Sequence, residues 1–121
     1  MSISSYQDLK VWQISMEITE EVYRLTQSFP KQEVYGLVSQ SKRSALSVPS
    51  NIAEGHARDS TKEFLHYISI ALGSLAELET QLILAQRLTY LERKDLDFIL
   101  LKISEAGRMI RGLQKALKAK L

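Results

Sequence analysis

The side chains able to do chemistry are few and scattered. His56 and His66 stand ten positions apart, without the His-Glu-x-x-His spacing that puts two imidazoles on one helical face. There is no inward-facing Glu-x-x-His pair of the kind that builds di-iron sites inside helical bundles. Ser39 and Lys42 match a bare Ser-x-x-Lys pattern, but the motifs that accompany such a nucleophile are missing and 121 residues are too few for that fold. Glu77 and Glu79 project from different faces of a helix, so they make no acid and base dyad; Glu77 suits pairing across an interface or with water. There is no P-loop and no Gly-x-Gly-x-x-Gly run. Cysteine is absent, which excludes disulfides, thiolate metal sites and cysteine nucleophiles. The expectation is a protein that is not an enzyme, with no cofactor, no metal and no small-molecule substrate.

Recognition chemistry is better represented. Gln40, Arg43, Ser47, Asn51 and Glu54 fall within about 80° of one another at 100° per residue, forming one polar stripe. It reads either as a solvated face with local pairing, such as Asn51 to Glu54, or as a recognition or subunit-contact surface. Ile70, Leu84 and Leu88 project opposite the core seam of their helix, among His66, Gly73, Glu77, Thr80 and Gln81. Gly73 inside a helix costs about 1 kcal/mol against alanine, a cost easier to understand if another backbone approaches closely. This favours self-association over scattered surface apolar residues. Arg108, Arg111, Lys115, Lys118 and Lys120 follow Glu105 with no further acid. They suit phosphates, and they equally suit the negative end of a helix dipole. Lys42, Arg43, His56, Arg58 and Lys62 form a second basic group, diluted by Glu54, Asp59 and Glu63. No aromatics interleave with either group, which argues against single-strand recognition by stacking.

The elements that must carry these residues are helices. With 45% hydrophobic residues the chain suits one domain with its own core, residues 1–121, and a net charge of +2 with a pI near 8.9 is only mildly basic. No apolar run approaches the ~20 residues of a membrane span, and the opening Met1–Asp8 shows no export pattern, so a cytoplasmic protein is expected. A first amphipathic stretch runs from about 7 to 28, with Val11, Ile14, Ile18, Val22, Leu25 and Phe29 opposite Lys10, Gln13, Glu17, Glu20 and Arg24. Pro30 stops it. A second, from about 31 to 56, carries Val34, Val38, Ser41, Ala45, Val48 and Ile52 on a narrow core face. Pro49 inside it removes the hydrogen bond to the Ala45 carbonyl and predicts a kink, with Ser47 and Ser50 placed to satisfy the freed groups. Gly55 reads as the residue closing this helix, and Ser60 to Glu63 as a capping box opening the third after a loop at 56–59. Phe64, Ile68, Ala71, Leu75, Leu78, Leu82 and Ala85 then alternate by four and three, as do Leu96, Ile99, Ile103, Ala106, Ile110, Leu113 and Leu117 after a turn at 89–93. Four such helices with short connections predict an all-α protein, a single antiparallel up-down-up-down bundle with helix two kinked at Pro49.

The run from Gln40 to Gly55, Gln-Ser-Lys-Arg-Ser-Ala-Leu-Ser-Val-Pro-Ser-Asn-Ile-Ala-Glu-Gly, resembles the signature of the four-helix-bundle family of 23S rRNA intervening sequence proteins. Flanking matches are Tyr6 to Trp12, Phe29 to Leu37 and Gly73 to Glu79, so the resemblance covers nearly the whole chain. Departures are confined to the signature's first turn: Ser41 for an apolar residue, Lys42 where arginine is common, and Ser44 for alanine. The resemblance implies a ring-shaped homo-oligomer, typically a pentamer, and similarity to accessory proteins of diversity-generating retroelements, which contact protein and RNA. The family name itself does not establish rRNA binding; the leading expectation is a non-catalytic homo-oligomer that presents basic surfaces to RNA or an RNA-processing partner, with phosphate contacts from Lys42, Arg43 and Arg58 and a second basic surface at Arg108, Arg111 and Lys115. Gln40, Ser47, Asn51, Glu54, Ile70, Gly73, Glu77 and Leu84 are the corresponding interface candidates. A protein-interaction scaffold with no nucleic-acid role is the alternative.

Overall fold

The computed structural model describes residues 5–121, and among these all regular structure is helical. Met1–Ser4, part of the stretch read above for an export pattern, lie outside the described residues. A short 3-10 turn at Tyr6–Asp8 leads into α1 (Lys10–Thr26), followed by α2 (Ser39–Ala57), α3 (Thr61–Arg87) and α4 (Arg93–Lys118). Thr19 meets Ala45 and Tyr23 meets Lys42, while Ser47 meets Ser74 and Gly55 meets Tyr67. Leu75 lies beside Gly107 and Ser69 beside Gln114. Contacts that descend one helix as they climb the next make neighbours antiparallel, and Glu17 with Lys102 closes α4 against α1. The bundle is therefore the four-helix one expected.

The core is built from the seams that the periodicity marks. Ile68, Ala71, Leu75, Leu78, Leu82 and Ala85 of α3 are buried, as are Leu96, Ile99, Ile103, Ala106 and Ile110 of α4. By length and composition α3 could cross a membrane, but its seam residues form the interior of the bundle. On α1 the buried face also carries Ser15, Thr19 and Thr26. Their hydroxyls return to carbonyls four residues back, at 2.6, 2.8 and 2.8 Å, so no polar group there lacks a partner.

Pro49 is buried within α2. It has no N–H for the Ala45 carbonyl, and that carbonyl is reached from α1, by Thr19 Oγ1 at 3.1 Å. Ser47 turns away to Ser74 at 2.8 Å and Ser50 is exposed, so neither serves the freed group as expected. Gly55 does not end the helix: α2 continues to Ala57, and Gly55 is buried against α3. A Cβ there would lie 2.7 Å from Tyr67 Cβ and 3.0 Å from Phe64 Cδ1, so only glycine lets the two helices approach this closely. The next helix opens as expected, with Ser60 Oγ accepting from the Glu63 N–H at 3.1 Å.

The entry to α2 differs more. Residues 31–33 form a 3-10 turn and 34–38 a wide π-turn, with Gly36 at φ −107°, ψ −114°. Glu33 explains the departure. Its Oε1 accepts from the Leu37 N–H at 3.1 Å, and a Cβ on residue 36 would sit 2.5 Å from that oxygen. Its Oε2 accepts from the Tyr90 hydroxyl at 3.0 Å. Tyr90 follows Thr89, which ends α3 in the left-handed region at φ 65°. The Thr89 and Tyr90 N–H groups return to Gln86 and Ala85, both at 2.9 Å, which satisfies the last carbonyls of the helix. One carboxylate thus ties both connections at this end of the bundle.

Tyr90 is held above the ordinary tyrosine value of 10.0, first by its hydrogen bond to Glu33, then by loss of water and by the Glu33 charge. The fold favours the neutral phenol, so this contribution to stability is intact below pH 10 and disappears as pH rises through the folded-state value. Urea unfolding from neutral pH to above pH 10 will show the native protein losing stability faster than Tyr90→Phe. Parallel curves would mean that the Glu33 contact contributes nothing.

Candidate interaction surface

The α2 stripe does not face open water along its length. Ser47 Oγ lies 2.8 Å from Ser74 Oγ, and Asn51 Nδ2 donates to the Ser47 carbonyl at 2.8 Å and to its hydroxyl at 2.9 Å. Asn51 therefore pairs upward with Ser47, not with Glu54. Glu54 accepts from Arg58 at 3.2 Å, and Arg58 also donates to the Tyr67 hydroxyl at 2.8 Å while its guanidinium covers the Tyr67 ring at 5.1 Å. The bond to Glu54, then the charge of Tyr67, raises the Arg58 pKa and keeps it charged. Ser47, Asn51 and Ser74 are half-buried or buried, whereas Gln40, Arg43 and Glu54 are exposed. The lower half of the stripe is a structural weld between α2 and α3, and its upper half stays available.

Across this weld lies the solvent face of α3. Ile70, Gly73, Glu77, Leu84 and Leu88 fall within about 60° of one another at 100° per residue. Ile70, Leu84 and Leu88 are 39%, 45% and 43% exposed, and a Cβ on Gly73 would meet nothing within 4 Å. Glu77 has no basic partner within 4 Å among the described residues. The α2 and α3 stripes thus adjoin on one broad face, which the sequence treats as two separate features.

The basic residues are divided, not pooled. Lys42 turns toward α1, its Nζ 4.8 Å above the Tyr23 ring, while its neighbour Arg43 is exposed on the other flank. With Arg58 tied to Glu54, the expected Lys42, Arg43 and Arg58 patch is not assembled as one surface. On α4, Arg108, Arg111 and Lys115 share one side, and among the described residues none has a carboxylate within 4 Å. Arg24, Arg58, Arg93, Lys94 and Lys102, in contrast, are all in ion pairs. Arg43 and Arg87 are likewise in none of these pairs, but the C-terminal half of α4 brings three such cations together on one side of a helix.

A cleft of about 780 Å³ lies at the Tyr90 end, but the cations on it, Arg24 and Arg93, are paired with Glu21 and Asp97. Among the described residues no three His, Asp or Glu side chains are grouped to hold a metal.

The pattern of the 23S rRNA-intervening sequence proteins matches residues 7–112, nearly the whole of this bundle. The chain belongs to that family. A crystal structure of a protein of unknown function from the S23 ribosomal protein family, from Bacteroides thetaiotaomicron VPI-5482, has the same fold. It is 25% identical, with a TM-score of 0.78 over 87% of this chain and 98% of that one. No curated protein matches the chain. Within this 23S rRNA-intervening sequence protein the signature run Gln40 to Gly55 is α2 and its two welds: Pro49 with Thr19 on one side, Ser47, Asn51 and Gly55 with α3 on the other. Thr19, Ser74, Glu33 and Tyr90 escape a reading of the sequence alone, because each gains its meaning from a partner on another element.

Proposed function

We propose that this member of the family is a non-catalytic, cytoplasmic homo-oligomer that binds RNA through the basic side of α4. The observation that carries the reading is that three cations, Arg108, Arg111 and Lys115, share one side of α4 with no carboxylate within 4 Å among the described residues. Lys118 and Lys120 extend this group. A polyanion gains affinity there chiefly by releasing its counterions. Self-association through the α2–α3 face is supported by Ile70, Leu84 and Leu88, apolar groups exposed beside a glycine with open space above it. A ring of five is what the family resemblance implies. On this reading Gln40, Arg43 and Glu77 supply the polar part of the subunit contact, while Ser47, Asn51 and Glu54 act beneath it by holding α2 to α3. The part played by Arg58 is then mainly structural.

RNA binding measured across a salt series should weaken steeply between low and moderate salt. Arg108→Ala and Arg111→Ala should each flatten the slope of log K against log salt by about 1. Binding that is undetectable, or insensitive to salt, would instead favour a protein-interaction scaffold with no nucleic-acid role.

Assembly is checked by sedimentation. The native chain should exceed the 13.8 kDa of one copy at micromolar concentration, and Ile70→Glu, Leu84→Glu or Gly73→Leu should lower the mass without loss of helicity. A native monomer would remove the α2–α3 face from the account.

A further inference from the structure

We infer that the groove between α3 and α4 receives one unpaired base of a single-stranded RNA, with Arg108 and Arg111 holding the adjoining phosphates. The inference rests on the RNA reading above and specifies the state of the strand that is bound.

The groove holds about 310 Å³ and combines an apolar floor with a cationic rim. Its floor is Leu72, Leu75 and Ile103, of which Leu75 and Ile103 are only 3% exposed. The space exists because small residues form the walls, Ala76 on α3 and Gly107 on α4. A Cβ on Gly107 would make only an ordinary contact, 3.7 Å from Leu75 Cδ2, so a longer side chain there would occupy the groove without displacing backbone. The rim carries Arg108, Arg111, Ser104 and Glu79. Arg108 Nη1 donates to Ser104 Oγ at 3.0 Å, which lays the guanidinium along the rim, and neither arginine has a carboxylate within 4 Å among the described residues.

An apolar floor with free cations at its edge calls for a ligand whose body is flat and apolar and whose neighbours are anionic. A nucleotide within a strand has this form, since the base lies between two phosphates. Guanidinium planes can cover the faces of a splayed base, which compensates for the lack of aromatic side chains. Glu79 is an acceptor suited to an exocyclic amine. A base inside a duplex is stacked and cannot enter such a groove, whereas its phosphates still reach the α4 cations.

The test is fluorescence anisotropy with three dye-labelled RNA probes of equal length: a single strand, the same strand with abasic positions, and a duplex. The single strand should bind roughly tenfold tighter than the abasic strand, the size of one base's contact. Gly107→Leu, and separately Ala76→Leu on the opposite wall, should bring the single strand down to the abasic level while leaving the salt slope unchanged. Arg108→Ala should weaken all three probes. Equal binding of the intact and abasic strands, or a preference that survives both groove-filling variants, overturns the base site while leaving the RNA reading standing. If no probe binds, both fall together.

Discussion

One backbone carbonyl sets the terms for this bundle. Pro49 lies inside a buried helix and cannot donate to Ala45, and an unpaired buried carbonyl costs about 1–3 kcal/mol. The Thr19 hydroxyl stands 3.1 Å from that oxygen while also reaching the Ser15 carbonyl at 2.8 Å. A single proton serves two acceptors, so α1 must lie at one height and at one short distance from α2. Thr19, Ala45 and Pro49 together make a lock that apolar packing alone would not supply, because buried methyl groups tolerate small slides that a hydrogen bond does not.

The opposite flank of α2 follows the same logic with different chemistry. Its buried side chains are small, Ser41, Ser44, Ala45, Val48 and Gly55 among them, so the helix contributes little volume and both neighbours close in upon it. Gly55 admits Tyr67 and Phe64, and Ser47 bonds to Ser74. The seam of α3 fills the interior, which leaves Ile70, Leu84 and Leu88 as surplus apolar surface beside the welded polar stripe. Across the bundle α4 makes its ion pairs with its own first turns and with α1, and among the described residues none of the C-terminal cations has a carboxylate within 4 Å. The two proposed surfaces are thus what remains when α2 has fixed its neighbours.

The sequence predicts this architecture well where a signal is local. The alternating seams of α3 and α4 mark the residues that are buried, and Ser60 and Glu63 open α3 as capping chemistry requires. Pro49 announces an orphaned carbonyl, but nothing within α2 announces Thr19, since the donor lies 26 residues away. Gly55 is ambiguous for the same reason: a glycine near a helix end reads as a terminator until the tyrosine packed against it is known. Glu33 and Tyr90, 57 residues apart, are invisible as a pair, and with them the π-turn that replaces the expected start of α2. Charge is legible as composition and not as grouping, because adjacent Lys42 and Arg43 leave the helix on different flanks.

The lock between α1 and α2 is tested most directly by a double-mutant cycle on Thr19→Val and Pro49→Ala, read as unfolding free energies in urea. With proline in place, removing the hydroxyl should cost about 1–3 kcal/mol. In the Pro49→Ala background the helix supplies its own N–H to Ala45, and the same substitution should cost about 1 kcal/mol less. Equal costs in the two backgrounds would show that Thr19 does not stand in for the missing amide, and the account of how α2 positions the bundle would fail.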